Sequence, residues 1–447
     1  MATAILSPNP TETAAAGLKP LSPEARTLKW QIIGRITADH AALLERRREA
    51  AAKTEIELRI EEQCAAAGGQ LTVDVRAILK RDVRDELLGF GPIQPFLDDD
   101  TVSEVMVNRA DRIYVERKGK PYLTETRFED DAHVRRIIDR IIIPLGLHIS
   151  ADSPLVDARL PDGSRVNAVI PPVAVAGPCI TIRKFGNDKT RLNVDDLVRL
   201  GSFPQGIADF LKACVLARLN IVVAGGTGSG KTTLLNILSS YIPHDERIVT
   251  IEDAAELKLN QDHVITLEAK RPRADGKGEV TCRDLVRNAL RMRPERIVVG
   301  ECRGGDALDM LQAMNTGHDG SLTTLHANNP REVISRIETM ALMGGIDFPI
   351  RVIREQIASA IHLIIQQARL RDGSRRVTYI TEMGGMEGDK VVLQELFKYA
   401  ENPGSELGGP VSGQLRASGL RPRFMAKLEQ AGFRPAADFF SPGGPRR

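Results

Sequence analysis

The chain has 447 residues, of which 42% are hydrophobic and 27% are charged, so it has the length of two or three globular domains. Its 61 Lys and Arg residues nearly balance its 59 Asp and Glu residues, and this net charge of +2, with only 4% aromatic residues, argues against a nucleic-acid-binding protein. No apolar run approaches the roughly 18 residues of a membrane helix, and the five scattered cysteines predict neither a zinc site nor a disulfide framework.

The N-terminal quarter of the sequence predicts a disordered start followed by helices. Residues 1–22 are rich in Ala, Pro and Thr and lack the basic region of a signal peptide, so we expect a disordered lead-in and a cytoplasmic protein. Residues 23–99 have the dense charge spacing of helices, and Ser22 with Pro23 provides a helix start. For the first part of this segment, which contains LERRREAAAKTEIELRIEEQ, we predict a solvated helical arm, with a lever that binds a partner as the alternative, and for VDVRAILKRDVRDELL we predict a second, amphipathic helix.

The next stretch, residues 100–186, consists of short β-rich runs separated by turn signals. Apolar and polar residues alternate in RVNAVI and ITIRKF, and Asp162-Gly163 provides a turn, so we expect an antiparallel sheet with one or two helices. This pattern predicts a small α/β domain. Residues 187–201 are interpreted as a linker.

From residue 202 to residue 399, predicted strands alternate with predicted helices, which indicates a doubly wound α/β fold with a parallel sheet. The predicted strands are NIVVAG, ERIVTIED, HVITLEA, ERIVVGE and SLTTLHA. Residues 400–447 are rich in Gly and Pro, and we expect a C-terminal tail with one short helix.

A phosphate-binding pattern, GGTGSGKT, lies between an apolar strand and a helix. Its glycines allow backbone N–H groups to surround phosphate oxygens, and the start of the helix adds its positive dipole end. We expect Lys231 to reach the β and γ phosphates and Thr232 to bind Mg²⁺, so ATP with Mg is the predicted ligand. The predicted nucleotide contacts are Gly225, Gly226, Thr227, Gly228, Ser229, Gly230, Lys231, Thr232 and Thr233.

Acidic residues end two of the predicted strands downstream. The buried run ERIVVGE ends at Glu301, and IVTIED contains Glu252, so both lie at the carboxyl edge where parallel sheets bind ligands. Hydrolysis needs one carboxylate for Mg²⁺ and one that orients water. We assign the metal to Glu301 with Thr232 and the water to Glu252, although the sequence allows the two acids to exchange roles. A solvated acid at a strand end is the alternative for each.

Five further candidates are cationic or polar residues suited to a phosphate. His326 ends SLTTLHA at the same edge and is a candidate for the γ-phosphate, with a structural histidine as the alternative. Arg287 and Arg291 are spaced to share one face of a predicted helix, and Arg165 and Arg183 lie in the preceding domain. The planar fork of arginine grips phosphate with two hydrogen bonds. A surface position is the alternative for each arginine.

The ordered motifs GGTGSGKTT, TIED and VVGECRGGDALDMLQAMNTGHDGSLTTLHANNP resemble the Walker A, Asp box, Walker B and His box of the secretion ATPase superfamily, which drives type II and type IV secretion and type IV pili. DELLGFGPIQPFLDDDTVSEVMVN and GKGEVTCRDLVRNALRMRPERIVVGE are similar to the CpaF branch, the tight-adherence (Tad/Flp) pilus assembly ATPases. The resemblance covers about residues 75–400. It implies a RecA-like P-loop motor domain preceded by a smaller, PAS-like α/β domain.

The same resemblance implies a homo-hexamer that hydrolyses ATP and moves an inner-membrane platform protein, as a peripheral protein at the inner face of the cytoplasmic membrane. It also implies that Arg165 and Arg183 are brought to the nucleotide by the N-terminal domain, and that Arg287 and Arg291 act from the motor domain. The alternatives are a secretion ATPase that exports protein or DNA and a nucleic-acid translocase, although we expect no nucleic-acid partner. The motifs do not separate pilus extension from retraction.

Overall fold

The computed structural model describes residues 21–67, 71–117, 119–185, 192–272, 277–345, 348–402 and 409–442. The chain divides into two compact units, residues 1–191 and residues 192–447. The predicted lead-in lies outside the described residues except for its last two residues, and so do residues 187–191 of the predicted linker.

Four helices open the first unit: α1 (Pro23–Asp39), α2 (Ala41–Glu45), α3 (Ala50–Ala67) and α4 (Val73–Leu88). The α1 helix begins as the sequence predicts, since the Ser22 hydroxyl accepts the Ala25 N–H at 3.3 Å. All four helices contribute to one apolar core, which contains Ile32 of α1, Leu44 of α2, Ile56 of α3 and Leu79 of α4. The segment is therefore a packed bundle, and not the solvated arm that its charge pattern predicts.

An antiparallel sheet follows α5 (Gln94–Asp98), as the alternating sequence predicts. Its spatial order is β3-β2-β1-β6-β5-β4, and α6 (Asp131–Ile142) buries Ile137 and Ile138 against it. The strands are β1 (Val102–Arg109), β2 (Arg112–Arg117), β3 (Lys120–Leu123), β4 (Leu155–Arg159), β5 (Arg165–Val169) and β6 (Cys179–Arg183).

Buried polar contacts join the helical bundle to the helix that covers the sheet. The His133 ring on α6 lies 3.0 and 3.1 Å from the two carboxylate oxygens of Glu86 on α4. The Arg140 guanidinium donates to the carbonyl oxygen of Gly89 at 2.9 Å. The bundle and the sheet, which the sequence suggests as separate segments, therefore pack as one unit.

The second unit contains a nine-stranded sheet with the order β15-β14-β13-β12-β7-β11-β10-β8-β9. The strands from β12 to β9 in this order run parallel, and β13, β14 and β15 extend the sheet antiparallel beyond β12. The strands are β7 (Ile221–Gly225), β8 (Ile248–Glu252), β9 (Val264–Glu268), β10 (Arg296–Val299), β11 (Leu322–Leu325), β12 (Leu363–Arg369), β13 (Arg375–Glu387), β14 (Lys390–Glu401) and β15 (Gly413–Ala417).

Helices cover both faces of this sheet, which is why its central strands are buried along their whole length. Every residue of β7, β8, β10 and β11 is buried. The helices are α7 (Val194–Arg199), α8 (Gln205–Leu216), α9 (Lys231–Ser239), α10 (Cys282–Ala289), α11 (Asp306–Asn315), α12 (Pro330–Met343), α13 (Ile350–Ala360) and α14 (Met425–Gln430). The first of these falls within the predicted linker.

The described C-terminal residues belong to the core of the second unit, although the sequence suggests a tail. Their strand β15 pairs with β14, and Leu428 of α14 is fully buried. Phe440 packs against Phe210 and Phe397 with ring centroids 5.9 and 5.7 Å apart. Among the described residues, no helix combines the length and the apolar character that crossing a membrane requires.

Candidate active site

The strand order brings the predicted site residues to one edge of the parallel sheet. The central strand β7 leads into the phosphate loop, residues 225–232, and β11, β10 and β8 follow to one side in that order. Since these strands are parallel, their carboxyl ends share an edge. His326 follows β11, Glu301 follows β10 by two residues, and Glu252 ends β8. The edge therefore presents the loop, a histidine and two carboxylates in sequence.

The backbone of the phosphate loop explains its glycines. Gly228 and Gly230 have φ angles of +69° and +95°, a region that other residues enter only with strain. A side chain at Gly225 would place its Cβ only 2.3 Å from the Gln367 carbonyl oxygen on the neighbouring strand β12. The loop and the first turn of α9 hold all nine predicted contact residues, Gly225, Gly226, Thr227, Gly228, Ser229, Gly230, Lys231, Thr232 and Thr233.

Charged side chains alternate in sign along this edge. The Lys231 ammonium donates to the Gly226 carbonyl oxygen at 3.1 Å and lies 3.4 Å from His326 Nε2. The same His326 nitrogen lies 2.9 Å from Glu301 Oε1. On the other oxygen of Glu301, Arg303 donates from Nε at 2.9 Å and from Nη2 at 2.6 Å. Glu301 therefore lies between His326 and Arg303, and His326 separates it from Lys231 of the phosphate loop.

Burial and neighbouring charges shift two pKa values at this edge. Burial lowers the pKa of Lys231, the charge of Glu301 opposes that shift, and the charge of Arg303 adds to it. Burial and then the charge of Lys231 lower the pKa of His326 below its ordinary value of 6.5, against the opposing effect of Glu301. A lowered pKa favours the uncharged imidazole, whose Nε2 can accept the hydrogen bond of the Lys231 ammonium.

Glu252 is fixed by backbone hydrogen bonds. The residue is only 4% exposed, and its Oε1 accepts the N–H groups of Glu256 and Leu257 at 3.0 and 3.1 Å. Next to it, a Cβ built on Gly300 would lie 2.7 Å from Glu252 Cγ, so only glycine leaves room for this carboxylate. The structure therefore positions Glu252 tightly on β8, which two strands separate from β7.

The motor-unit arginines occupy positions that differ from the predicted shared helical face. Arg287 lies on α10, and its Nε donates to Asp309 Oδ1 at 2.7 Å. The helix ends at Ala289, so Arg291 lies beyond it, in a turn, where its Nη1 donates to the Arg287 carbonyl oxygen at 3.4 Å. The prediction that both arginines present one face of a helix is wrong, because the helix is too short.

The other two predicted arginines lie in the first unit. Arg165 on β5 and Arg183 on β6 are direct cross-strand partners, and Arg159 on β4 is the partner of Arg165. Arg183 Nε is 3.8 Å from Glu104 Oε1. The fold thus gathers three arginines in a row across one sheet, and their role toward a nucleotide stays a prediction.

Three residues at the loop edge have no place in the sequence-based assignment. Arg303 bridges two acids, since its Nη1 also donates to Asp253 Oδ2 at 3.0 Å. Arg375 donates to the Gly228 carbonyl oxygen at 3.0 Å from a position 147 residues away. Gln367 approaches the loop from β12. The polar Gln-Gln pair inside the apolar run LIIQQAR is a sequence signal for Gln367. Arg375 is remote from the loop along the chain, so no local pattern indicates its role.

Comparisons with known proteins identify the family of this chain. Residues 86–392 match the family described as type II/IV secretion system protein. A Mycobacterium tuberculosis protein whose name assigns it to conjugal transfer is 40% identical over 317 residues, which cover 69% of this chain and 88% of that protein. The type IV secretion system protein VirB11 of Brucella suis is 31% identical over 313 residues, covering 64% and 86%.

Among solved structures, the crystal structure of the Brucella suis VirB11 ATPase in complex with sulphate aligns with a TM-score of 0.36 and 30% identity. That alignment covers 65% of this chain and 94% of the VirB11 chain. The family match itself spans well over half of the sequence and includes the phosphate loop and all three strands that end in the candidate residues. The chain belongs to the type II/IV secretion system protein family.

Proposed function

We propose that this protein is an ATP-hydrolysing motor that powers assembly of a tight-adherence type IV pilus through an inner-membrane platform protein. One observation carries the proposal: Lys231 of the phosphate loop, His326 and Glu301 form a contiguous series at the carboxyl edge of the sheet. Phosphoryl transfer in loop-type ATPases needs such a phosphate cradle with a cation and acids beside it. The similarity of the motifs to the CpaF branch supports the pilus as the machine.

The residues at the loop fit a nucleotide with Mg²⁺. The positive φ angles of Gly228 and Gly230 allow a ligand to approach the backbone closely, and the Lys231 ammonium is available as a counter-charge. Mg²⁺ prefers hard oxygen donors, which the Thr232 hydroxyl and the Glu301 carboxylate provide. These two residues would hold the ion, which would neutralise charge on the phosphates when bound.

Acidic and cationic side chains of the protein carry the other roles in hydrolysis. Glu252 polarises the attacking water, and its backbone hydrogen bonds keep the carboxylate in one orientation. His326 contacts the γ-phosphate. The charge that develops on the transferring phosphoryl group is met by four arginines, Arg165, Arg183, Arg287 and Arg291. Experiment has to decide which of Glu252 and Glu301 binds Mg²⁺ and which orients the water.

Gly300→Ala is predicted to lower hydrolysis by displacing Glu252, because the added Cβ would overlap its side chain. A displacement of about 1 Å at a catalytic group costs on the order of 10²-fold in rate. Nucleotide affinity should be retained, since Gly300 lies outside the phosphate loop. Steady-state hydrolysis and titration with a fluorescent ATP analogue measure both quantities.

Gly304→Ala is the matched control, because a Cβ there meets only Asp306 Oδ1 at 3.7 Å, an ordinary contact. Equal hydrolysis rates for the two alanine variants would show that the position of Glu252 does not depend on Gly300.

The assembly we propose is a homo-hexamer that acts as a peripheral protein on the cytoplasmic side of the inner membrane. Its partners are the platform protein and other copies of itself, without nucleic acid. Support comes from the family resemblance, which also implies that Arg165 and Arg183 of the first unit act on the nucleotide. A motor that brings arginines from one unit to a nucleotide on another gains a way to couple hydrolysis to movement.

A second candidate is a secretion ATPase that exports protein or DNA. The observation that favours it is the identity of the relatives, since proteins named for conjugal transfer and for type IV secretion align with most of this chain. The chemistry of the phosphate loop would be the same in both machines, so only the cargo distinguishes them.

The experiment that tests the function replaces the only copy of the gene with one encoding Glu301→Gln and images surface pili. Loss of pili at normal protein levels is expected. Glu279→Gln is the matched control, because it makes the same chemical change at an exposed position of the same unit. Normal pili with lost export of a protein or of DNA would favour the second candidate, and normal pili with normal export would contradict both.

A further inference from the structure

The hairpin formed by β12 and β13 touches the phosphate loop from the side opposite to His326. Its strand β12 pairs with β7 in parallel, with Gln367 opposite Gly225. Arg375, the first residue of β13, donates from Nε to the Gly228 carbonyl oxygen at 3.0 Å. A Cβ on Gly230 would lie 3.1 Å from Arg375 Cδ. One arginine therefore lies against both positive-φ glycines of the loop.

Residues at the start of β13 also bind the first segment of the second unit. This connecting segment, residues 192–202, follows the boundary between the two units. The Ser202 hydroxyl donates to the Arg375 carbonyl oxygen at 2.9 Å, and the Ser202 carbonyl oxygen accepts the Val377 N–H at 3.0 Å. Arg376 donates to the Leu200 carbonyl oxygen. Residues 375–377 thus bind the connecting segment with their backbone and with one side chain.

Close packing makes this connection specific. Gly201 has a φ of +72°, and a Cβ there would lie 2.6 Å from Arg376 Nη1, so the segment passes directly over the arginine. Arg375 itself is exposed, and its side chain is free of the apolar core. Its guanidinium therefore contacts the loop from outside the buried core of the sheet.

We propose that Arg375 is a positioning residue that couples nucleotide binding in the phosphate loop to the connecting segment. The inference rests on the proposed nucleotide site. Phosphate groups in the loop attract the guanidinium, which is already hydrogen-bonded to the tip of the loop, and its backbone carries the resulting change to Ser202. Coupling of this kind is reciprocal, so an anchored connecting segment also favours the loop conformation that binds nucleotide.

The test follows amide hydrogen exchange of residues 192–202 in the full-length protein, with and without a saturating, slowly hydrolysed ATP analogue and Mg²⁺. In the wild type, the nucleotide should slow exchange in this segment by at least about fivefold. Arg375→Ala should abolish that difference at saturation and weaken nucleotide binding about fivefold, as reciprocity requires. Arg375→Lys, which keeps the charge but not the planar fork, should restore it only in part.

Arg371→Ala is the matched control. Arg371 lies in the same hairpin turn, but its side chain pairs with Glu401 at 2.7 Å, so its loss should leave the nucleotide-dependent protection intact. A purely structural role for Arg375 would change exchange equally with and without nucleotide, and that result would overturn the coupling. Normal nucleotide binding without protection of residues 192–202 in the wild type would also overturn it. Absence of nucleotide binding in the wild type would overturn the proposed function as well.

Discussion

Glu301→Gln is expected to lower ATP turnover by at least about 100-fold, the usual range for loss of a group that acts on the reacting phosphate or water. Glutamine keeps the shape of the side chain but removes the charge that lies next to His326 and Arg303. Nucleotide binding should persist, because Lys231 and the loop glycines are unchanged and one negative charge near the phosphates is removed. Steady-state hydrolysis and equilibrium titration of the purified protein measure the two effects.

A magnesium titration separates the roles of the two acids. A variant that has lost a metal ligand should need about 10- to 100-fold more Mg²⁺ for half-maximal turnover, whereas loss of the water-orienting acid should leave that requirement unchanged. Glu301→Gln should therefore resemble Thr232→Ala, and Glu252→Gln should differ from both. The opposite pattern would exchange the two assignments. Turnover of Glu301→Gln within about threefold of the wild type would exclude Glu301 from the chemistry.

Glu246→Ala is expected to have the largest effect on stability, about 3–5 kcal/mol, because it leaves a buried arginine unpaired. Arg296 is fully buried, and its Nε and Nη2 donate to the two oxygens of Glu246 at 2.5 and 3.2 Å. Arg296 also donates to the Gly320 carbonyl oxygen at 3.2 Å, which alone does not balance its charge. Urea denaturation followed by circular dichroism measures the free energy of unfolding.

The control for this prediction is Glu395→Ala, since Glu395 is half exposed and 3.9 Å from Lys398. Exposed pairs of this kind contribute about 0–1 kcal/mol.

The pH dependence of stability gives a second test of the Glu246–Arg296 pair. Burial raises the pKa of Glu246, but the hydrogen bonds and charges of Arg296 and then of Arg218 together outweigh burial, so its pKa lies below the ordinary 4.5. The stabilisation is thus present above pH 4.5 and is lost as the pH falls through the lowered pKa.

The difference in the free energy of unfolding between the wild type and Glu246→Ala should therefore become smaller as the pH falls below 4.5. A loss of stability no greater than that of Glu395→Ala would show that the buried pair is dispensable. Glu246 precedes β8 and Arg296 begins β10, so the pair lies at the amino ends of the strands that carry Glu252 and Glu301 at their carboxyl ends. The buried ion pair and the two candidate catalytic acids thus lie at opposite edges of one sheet.

The sequence determined the parts of the protein that depend on local pattern. Apolar runs of strand length between amphipathic helices specify β7, β8, β10 and β11, because both faces of a parallel strand are buried. The glycines of the phosphate loop follow from backbone conformations that glycine adopts without strain. With the strands known to be parallel, the positions of Glu252, Glu301 and His326 at one edge follow as well.

Only the tertiary structure decided which distant segments meet. The charged N-terminal helices pack into a bundle, and the Gly-rich C-terminal residues complete the core of the second unit, because their sparse apolar residues find partners far along the chain. Arg303, Gln367 and Arg375 reach the site through strand pairing and hairpin geometry. Neighbouring residues leave a signal in composition and spacing, whereas contacts between remote residues depend on the packing free energy of the whole fold.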